Sequence, residues 1–153
     1  MVNNPDNPSF LTTKGKDLTT LMTVLEKVEV HNMKANRGRA KLSAHAANKL
    51  NVYLQDETDI LKEYVEVSEN GAFKRDDTCN LVMIDASKMQ EVNGLLDELR
   101  DEDVVIKGGE YSKRYMDFLD FLSEYDGELA LAEIELVDNL LEQYEASRLE
   151  KEG

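Results

Sequence analysis

The chain contains no proline after Pro8, and this absence constrains its fold more than any other feature. Proline ends or kinks a helix because it lacks an amide hydrogen and its ring clashes with the preceding turn. Everything beyond Pro8 can therefore form uninterrupted helices. Through much of this part, apolar residues recur every three or four positions, the spacing that places them on one helix face. The sequence therefore predicts a mainly α-helical protein.

The longest apolar stripe indicates a helix from about Ala40 to Val67, preceded by a basic loop at residues 31–39 in which Gly38 breaks the pattern. At 1.5 Å per residue this helix would be about 40 Å long, which favours an antiparallel helical hairpin or bundle. Shorter stripes predict four further helices, at about 17–28, 85–99, 111–125 and 129–149. The apolar stripe predicted for the last helix consists of Ala130, Ile134, Val137, Leu141 and Tyr144.

Short segments rich in β-branched and aromatic residues indicate a minor β component. Ser68-Glu69-Asn70-Gly71 is a tight-turn signal, because Asn and Gly tolerate positive φ, so the residues on either side of it can pair. Asp85 or Ser87 is expected to cap the helix that follows. We expect one small β-sheet or hairpin built from pieces of 10–14, 72–84 and 104–107.

Length and cysteine content bound the organisation of the chain. A protein of 153 residues is most simply one domain, and we expect a flexible arm at 1–9, a helical domain at 10–149 and a polar tail at 150–153. The single cysteine, Cys79, excludes an internal disulfide and suits a reducing compartment. No signal peptide or membrane-length apolar segment is present, so we expect a soluble cytoplasmic protein.

Charge is distributed very unevenly along the chain. Residues 30–55 contain five bases and no Asp or Glu, whereas the remainder contains 13 bases and 32 acids. Residues 115–147 show the opposite pattern, with ten acids and no Lys or Arg. Such separation is not expected of charges that only solvate a surface, so both stretches are candidate functional regions.

The basic stretch has three competing interpretations. Its cations can neutralise the acidic helices of the same chain, or dock a protein partner or another copy of this chain. Binding of nucleic acid is disfavoured, because the overall charge of −14 repels phosphate and Tyr53 is the only Phe or Tyr within residues 30–55 that could stack on a base. The candidate partner-binding residues are Lys34, Arg37, Arg39, Lys41 and Lys49.

The acidic run supports a separate hypothesis. Regularly spaced carboxylates on a helix can imitate a phosphate backbone and block a DNA-binding enzyme, although an acidic surface that only confers solubility is the commoner explanation. The candidate acidic face consists of Asp117, Asp120, Glu133 and Asp138.

The sequence lacks the residues of a recognisable catalytic, metal or cofactor site. Two histidines and one cysteine do not supply a metal-ligand set, and Gly108-Gly109 is not followed by the Lys and Ser or Thr of a phosphate-binding loop. We expect Cys79 to be a buried small hydrophobe and His45 to be a solvated helical residue. The sequence therefore predicts a protein that is not an enzyme and has no cofactor.

Several segments resemble those of small proteins of unknown function encoded by temperate phages and prophages of lactic-acid and related Gram-positive bacteria. Such proteins have a short strand and an amphipathic helix, like Phe10–Val28, and an Arg-x-Arg segment, like Arg37-Gly38-Arg39, before a long helix like Leu42–Val67. Tyr125-Asp126-Gly127-Glu128-Leu129, followed by an acidic helix containing Val137-Asp138-Asn139-Leu140-Leu141, is similar to their C-terminal part. The resemblance implies a phage accessory protein and transfers no catalytic residue.

Together with this resemblance, the sequence predicts a phage accessory protein that binds another protein, either within a virion or tail assembly or on a host factor. The alternative is an anti-defence inhibitor of a host DNA-directed enzyme that acts partly by acidic DNA mimicry. Either role places the protein in the cytoplasm of a bacterial host or in the virion, with a protein partner and no membrane.

Overall fold

A computed structural model describes residues 10–152, with side chains described for 11–147. The predicted mainly α fold with a minor β component is confirmed. Short 3₁₀ turns at Gly15–Asp17, Ala86–Lys88 and Gly109–Tyr111 precede three of the helices. The strands and helices are β1 (Phe10–Lys14), α1 (Leu18–Lys27), α2 (Met33–Tyr64), α3 (Met89–Asp101), β2 (Asp103–Lys107), α4 (Ser112–Ser123) and α5 (Leu131–Glu152). The predicted arm at 1–9 lies outside the described residues.

The described chain divides into two compact units. One contains residues 10–50 and 103–152, and the other contains residues 51–102, so α2 contributes to both. The boundaries predicted at residues 9 and 149 stay a prediction.

The first unit contains a two-stranded antiparallel sheet covered by helices. β1 pairs with β2 in a register that places Leu11 opposite Ile106 and Thr13 opposite Val104. Residues 72–84 do not join this sheet, so the prediction of one β element made from three segments is wrong. Those residues find their hydrogen-bond partners within the second unit instead.

Helices α1, α2, α4 and α5 supply the apolar core of the first unit. The predicted stripe of α1 is buried except for Met22, which is half-buried; its residues are Leu18, Leu21, Met22, Leu25 and Val28. The predicted stripe of α4 is buried except for Tyr125, which is half-buried; its residues are Tyr115, Phe118, Leu119, Leu122 and Tyr125. The stripe predicted for α5 is partly wrong, because Ile134 is half exposed and Leu140 is buried in its place. Leu140 lies on the face that meets Leu136 and Tyr144, which the core requires.

Helix α2 begins at Met33, seven residues before the predicted start at Ala40. The Asn32 side chain accepts a hydrogen bond from the Lys34 amide at 2.9 Å, which satisfies one of the unpaired amides of the first helical turn. The predicted basic loop is therefore mostly helix, and Gly38 lies inside it. At the other end α2 stops at Tyr64 rather than Val67, because residues 65–67 adopt extended backbone.

Residues 65–83 of the second unit form a closed ring of three short extended segments. The central residues Glu66, Lys74 and Val82 are eight positions apart, and each donates its amide to one neighbouring segment and accepts from the other, at 2.9–3.0 Å. The antiparallel bridges between the segments are Val65 with Met83, Val67 with Phe73, and Arg75 with Leu81. All three segments therefore have partners on both sides, so none is an open edge.

The two turns within this ring are equivalent positions of the same eight-residue repeat. Gly71 has φ of 87° and Cys79, eight residues later, has φ of 67°. The predicted turn at 68–71 is confirmed, but the prediction that Cys79 is buried is wrong, because the residue is exposed. The backbone conformation required by the turn places the cysteine at the surface, just before the last extended segment of the ring.

Helix α3 completes the second unit. The Asp85 side chain accepts from the Ser87 amide at 3.0 Å, which confirms the predicted cap. Ile84, just before this cap, donates its amide to Tyr64 at the end of α2, while Arg100 near the end of α3 hydrogen-bonds Tyr53. These contacts at both ends show that α3 runs antiparallel to the second half of α2.

Candidate functional site

Lys34, the first base of the basic stretch, forms an ion pair with a carboxylate of the acidic run. Lys34 Nζ lies 3.8 Å from Asp117 Oδ1, and Lys113 Nζ lies 3.3 Å from Asp117 Oδ2. The Asp117 side chain is largely buried, whereas both lysines are exposed. Neutralisation of the basic stretch within one chain is therefore present at Lys34, although exposed pairs of this kind stabilise a protein by only about 0–1 kcal/mol.

Arg39 is engaged at the C-terminal end of α1. Its Nη1 donates to the Val28 carbonyl at 2.8 Å and to the Leu25 carbonyl at 3.4 Å, and its Nε donates to Asn36 Oδ1 at 2.9 Å. The last carbonyls of a helix lack partners within it and carry partial negative charge. The guanidinium therefore caps α1, a role that the sequence did not indicate.

Two other cations converge on the ring of Tyr111. Lys41 Nζ of α2 lies 4.6 Å from the ring centroid, and Arg114 Cζ of α4 lies 5.1 Å from it. Cations in this position are attracted to the negative face of an aromatic ring. Arg37 is exposed one helical turn before Lys41 and extends the same surface. We call Arg37, Lys41, Tyr111 and Arg114 the basic–aromatic patch.

The cations of this patch lack acidic partners among the described side chains. Arg37, Lys41 and Arg114 form no ion pair with a carboxylate in residues 11–147. Lys49, two turns beyond Lys41, is also exposed. In a chain with 32 acids and 18 bases, a group of cations without ion pairs to described carboxylates is an unusual local environment.

His45 contacts Tyr111 of the patch and Tyr115 beside it, so the prediction that it is a solvated residue is wrong. Its Nδ1 shares a hydrogen bond with the Tyr115 hydroxyl, and its ring centroid lies 5.8 Å from that of Tyr111. Burial raises the pKa of Tyr115 to about 12, so this phenol stays protonated at neutral pH. The histidine is half-buried because α4 packs against the face of α2 on which it lies.

Glu133, one of the predicted acidic residues, is buried and has a structural role. Its Oε1 accepts from Lys27 Nζ at 2.8 Å and from the Ala130 amide at 2.7 Å. The hydrogen bond from Lys27, followed by that from Ala130, holds the pKa of this carboxyl below its ordinary value. Glu133 therefore caps the first turn of α5 and joins it to α1.

The other members of the predicted acidic face are not equally available to a partner. Asp120 is exposed, and its Oδ1 accepts from the Tyr144 hydroxyl at 2.6 Å. Asp117 is held by two lysines as described above, and Asp138 is exposed on α5. Three further exposed carboxylates on one face of α5, those of Asp138, Glu142 and Glu145, lie beyond Glu135 along the helix, and we call these three the acidic strip.

Sequence reasoning missed Tyr111 and Arg114 as members of the patch. Tyr111-Ser112-Lys113-Arg114 places an aromatic residue beside two bases immediately before the base-free run, a local signal that could have identified them. Their proximity to Lys41 depends on how α4 packs against α2, which periodicity does not reveal.

The described part of the chain contains neither a metal-binding cluster nor a membrane-length apolar helix. No group of three or more His, Cys, Asp or Glu residues is placed to hold a metal ion. No helix in residues 10–152 is both long and apolar enough to cross a membrane.

Comparison with protein families gives one match, which covers residues 9–151. The matching family model is described as a protein of unknown function, DUF1617. The chain belongs to this family. The resemblance to a family of unknown function is confirmed at that level. No curated protein and no solved structure matches this DUF1617 chain.

Proposed function

We propose that this chain is a non-enzymatic accessory protein that binds another protein, and that the basic–aromatic patch anchors the interface. One observation carries the proposal. Lys41 and Arg114, from two different helices, converge on Tyr111 without a carboxylate partner in the described part of a strongly acidic chain. Arg and Tyr are enriched among the residues that contribute most to protein interfaces, because both combine a large contact surface with directed polar groups.

The chemistry of the patch favours an acidic segment of the partner. A carboxylate placed between Lys41 and Arg114 would accept charge-assisted hydrogen bonds, while an apolar side chain beside it would cover the Tyr111 ring. Because the chain is acidic overall, an acidic segment of the partner would be repelled by most of the surface. It would be attracted only in the orientation that brings it to this patch. We propose that the partner is a phage assembly component or a host factor, in keeping with the phage proteins that the chain resembles.

Paired variants of equal charge test this proposal. Lys41→Gln with Arg114→Gln removes two cations from the patch, and Lys62→Gln with Lys74→Gln removes two exposed cations from the second unit. We expect proteins captured from phage-infected host lysate by the wild type to be captured by the control and lost from the patch variant. Purified partner and patch variant should then show at least about tenfold weaker binding, equivalent to about 1.4 kcal/mol.

Two outcomes of this experiment would contradict the proposal. If both double variants lose the partner equally, the loss reflects overall charge rather than the patch. If neither loses it, the interface lies elsewhere on the chain. Melting temperatures measured for all three proteins show whether a loss of binding is a loss of folding.

The acidic strip supports the second candidate, an anti-defence inhibitor that competes with DNA. Asp138, Glu142 and Glu145 are exposed, lie on one face of α5 at intervals of four and three residues, and belong to the base-free run 115–147. A row of carboxylates at helical spacing can occupy a basic DNA-binding groove. We expect inhibition of a host DNA-directed enzyme to be lost when these three are changed to their amides.

A control for this candidate neutralises three exposed acids of the second unit, namely Glu63, Glu69 and Asp77. Inhibition that persists in the control and disappears in the strip variant supports mimicry by α5. Equal loss in both variants, or inhibition that survives in both, contradicts it.

A further inference from the structure

A polar cleft of about 420 Å³ lies between β1, the turn that follows it and α5, away from the basic–aromatic patch. A cleft of this volume is large enough for a side-chain-sized ligand. Its polar lining includes Thr13, Asp17, Thr20, Glu135 and Asn139, together with Lys14, Asp103 and Gln143.

The cleft contains a buried hydroxyl without a partner. Thr13 is 7% exposed, and its Oγ1 forms no hydrogen bond within the described residues. Buried polar side-chain atoms are hydrogen-bonded in the large majority of cases, since leaving one unpaired destabilises the fold. An unpaired hydroxyl in the wall of a cleft therefore indicates that a bound molecule completes its hydrogen bonding.

No neighbouring group supplies that missing bond, and the Gln143 side chain beside it is already occupied by other partners. Gln143 Oε1 accepts from the Thr12 amide at 2.8 Å, and its Nε2 donates to the Thr12 carbonyl at 2.8 Å and to Asn139 Oδ1 at 2.6 Å. The Gln143 amide thus pairs with the outer edge of β1 as a neighbouring strand would. These bonds hold the wall of the cleft in place.

The charge of the cleft selects the kind of ligand. Lys14 Nζ pairs with Asp103 Oδ1 at 2.9 Å, whereas Asp17 and Glu135 form no ion pair with the described side chains. Asp17 precedes α1 but makes no side-chain hydrogen bond to its first turn. Two carboxylates without bases and several hydroxyl and carbonyl acceptors suit a ligand that is cationic and only donates hydrogen bonds.

We propose that this cleft binds an alkyl guanidinium or alkyl ammonium group. The planar guanidinium has five donors and can meet the Glu135 carboxylate in a bidentate manner while donating to Thr13 Oγ1. The group can come from an Arg or Lys side chain of a partner protein or from a free polyamine. The proposal concerns a different surface from the patch and does not depend on the proposed function.

Titration of the full chain with small probes tests the chemistry, using backbone amide chemical shifts as the readout. The probes are N-acetyl-arginine amide, spermidine and N-acetyl-citrulline amide, which has the shape of arginine without its charge. We expect shifts at Thr13, Thr20 and Asn139 with arginine or spermidine and none with citrulline. Tighter binding of arginine identifies a protein side chain as the source, and tighter binding of spermidine identifies a polyamine. Equal binding of citrulline, or shifts confined to other residues, overturns the proposal.

Two variants test the residues assigned to the cleft. Glu135→Gln should weaken binding of the better cationic probe at least about fivefold, because a charge-assisted hydrogen bond is lost. Glu26→Gln, which removes an exposed carboxylate of α1 outside the cleft, should leave it unchanged. Thr13→Val keeps the side-chain shape, so it should raise the melting temperature of the unliganded protein and weaken probe binding. Binding that is unaffected by Glu135→Gln and Thr13→Val overturns the assignment.

Discussion

Gly38 of α2 and Arg114 of α4 meet through their backbones. A β-carbon at position 38 would lie 1.9 Å from the Arg114 carbonyl oxygen and 3.0 Å from the Phe118 β-carbon. The absence of a side chain at Gly38 is therefore what allows the two helices to approach this closely. The same approach allows Lys41 of α2 and Arg114 of α4 to reach the same ring, that of Tyr111.

Gly38→Ala is expected to lower the free energy of unfolding by about 1–3 kcal/mol, since the added methyl group must displace backbone rather than a flexible side chain. This cost outweighs the higher helix propensity of alanine. Gly94→Ala is the matched control, because Gly94 is also helical and has nothing within 4 Å of its missing side chain. The control should gain about 0.5–1 kcal/mol. Urea denaturation of both variants measures the difference, and a gain at Gly38 would contradict the close contact.

Arg39→Gln is expected to destabilise the protein by about 1–2 kcal/mol, because the carbonyls of Leu25 and Val28 lose a charged donor at the end of α1. Arg37→Gln, two residues earlier and exposed, should stay within about 0.5 kcal/mol of the wild type. Denaturant midpoints of the two single variants separate the structural arginine from the candidate binding arginine. Similar losses for both would show that the cap at α1 contributes little.

Glu133 should make stability depend on pH in the acidic range. Its pKa is lower in the folded chain than in the unfolded chain, chiefly because of the hydrogen bond from Lys27. The resulting stabilisation is fully present above the ordinary glutamate pKa of about 4.3 and is lost as the pH falls through the lower folded value. The melting temperature of Glu133→Gln should therefore fall less than that of the wild type between neutral and acidic pH. Parallel curves for the two proteins would contradict this assignment.

Cys79→Gly is expected to raise the free energy of unfolding by about 1 kcal/mol, because glycine adopts a φ of 67° without the clash that a β-carbon causes. Cys79→Ala removes the thiol and keeps that clash, so it should change stability little. Gly71→Ala, at the equivalent turn, should be destabilising by a similar amount. Denaturation of the three variants tests the equivalence of the turns. A stabilising effect of Cys79→Ala equal to that of Cys79→Gly would assign the cost to the thiol instead.

Local patterns predicted the parts of the fold that short-range spacing determines. The stripe of α1 and the cap at Asp85 each depend on residues within a few positions of one another. The predicted start of α2 is wrong because Gly38 is ordinarily a helix breaker. Glycine is required at this position because the backbone of Arg114, which is 76 positions away in the sequence, packs against it.

The candidate site was predictable only in part, because its residues are distant in the sequence and meet only when the helices pack. Charge counting identified Lys41, but not the ring of Tyr111 beneath it, since the two residues meet only through packing. It also treated Arg39 as equivalent to Arg37, although only Arg39 reaches the open end of α1. The eight-residue relationship between Gly71 and Cys79 was hidden because the two turns share backbone conformation but not residue type.

The closed ring at residues 65–83 has a consequence for how the second unit exchanges its amide hydrogens with solvent. Each of Glu66, Lys74 and Val82 both donates to one segment and accepts from another, so releasing any one segment breaks hydrogen bonds to both of the others. Local fraying at one edge is therefore not available as a route to opening. Hydrogen exchange of the three amides should therefore report one common free energy of opening, as expected of a single cooperative element.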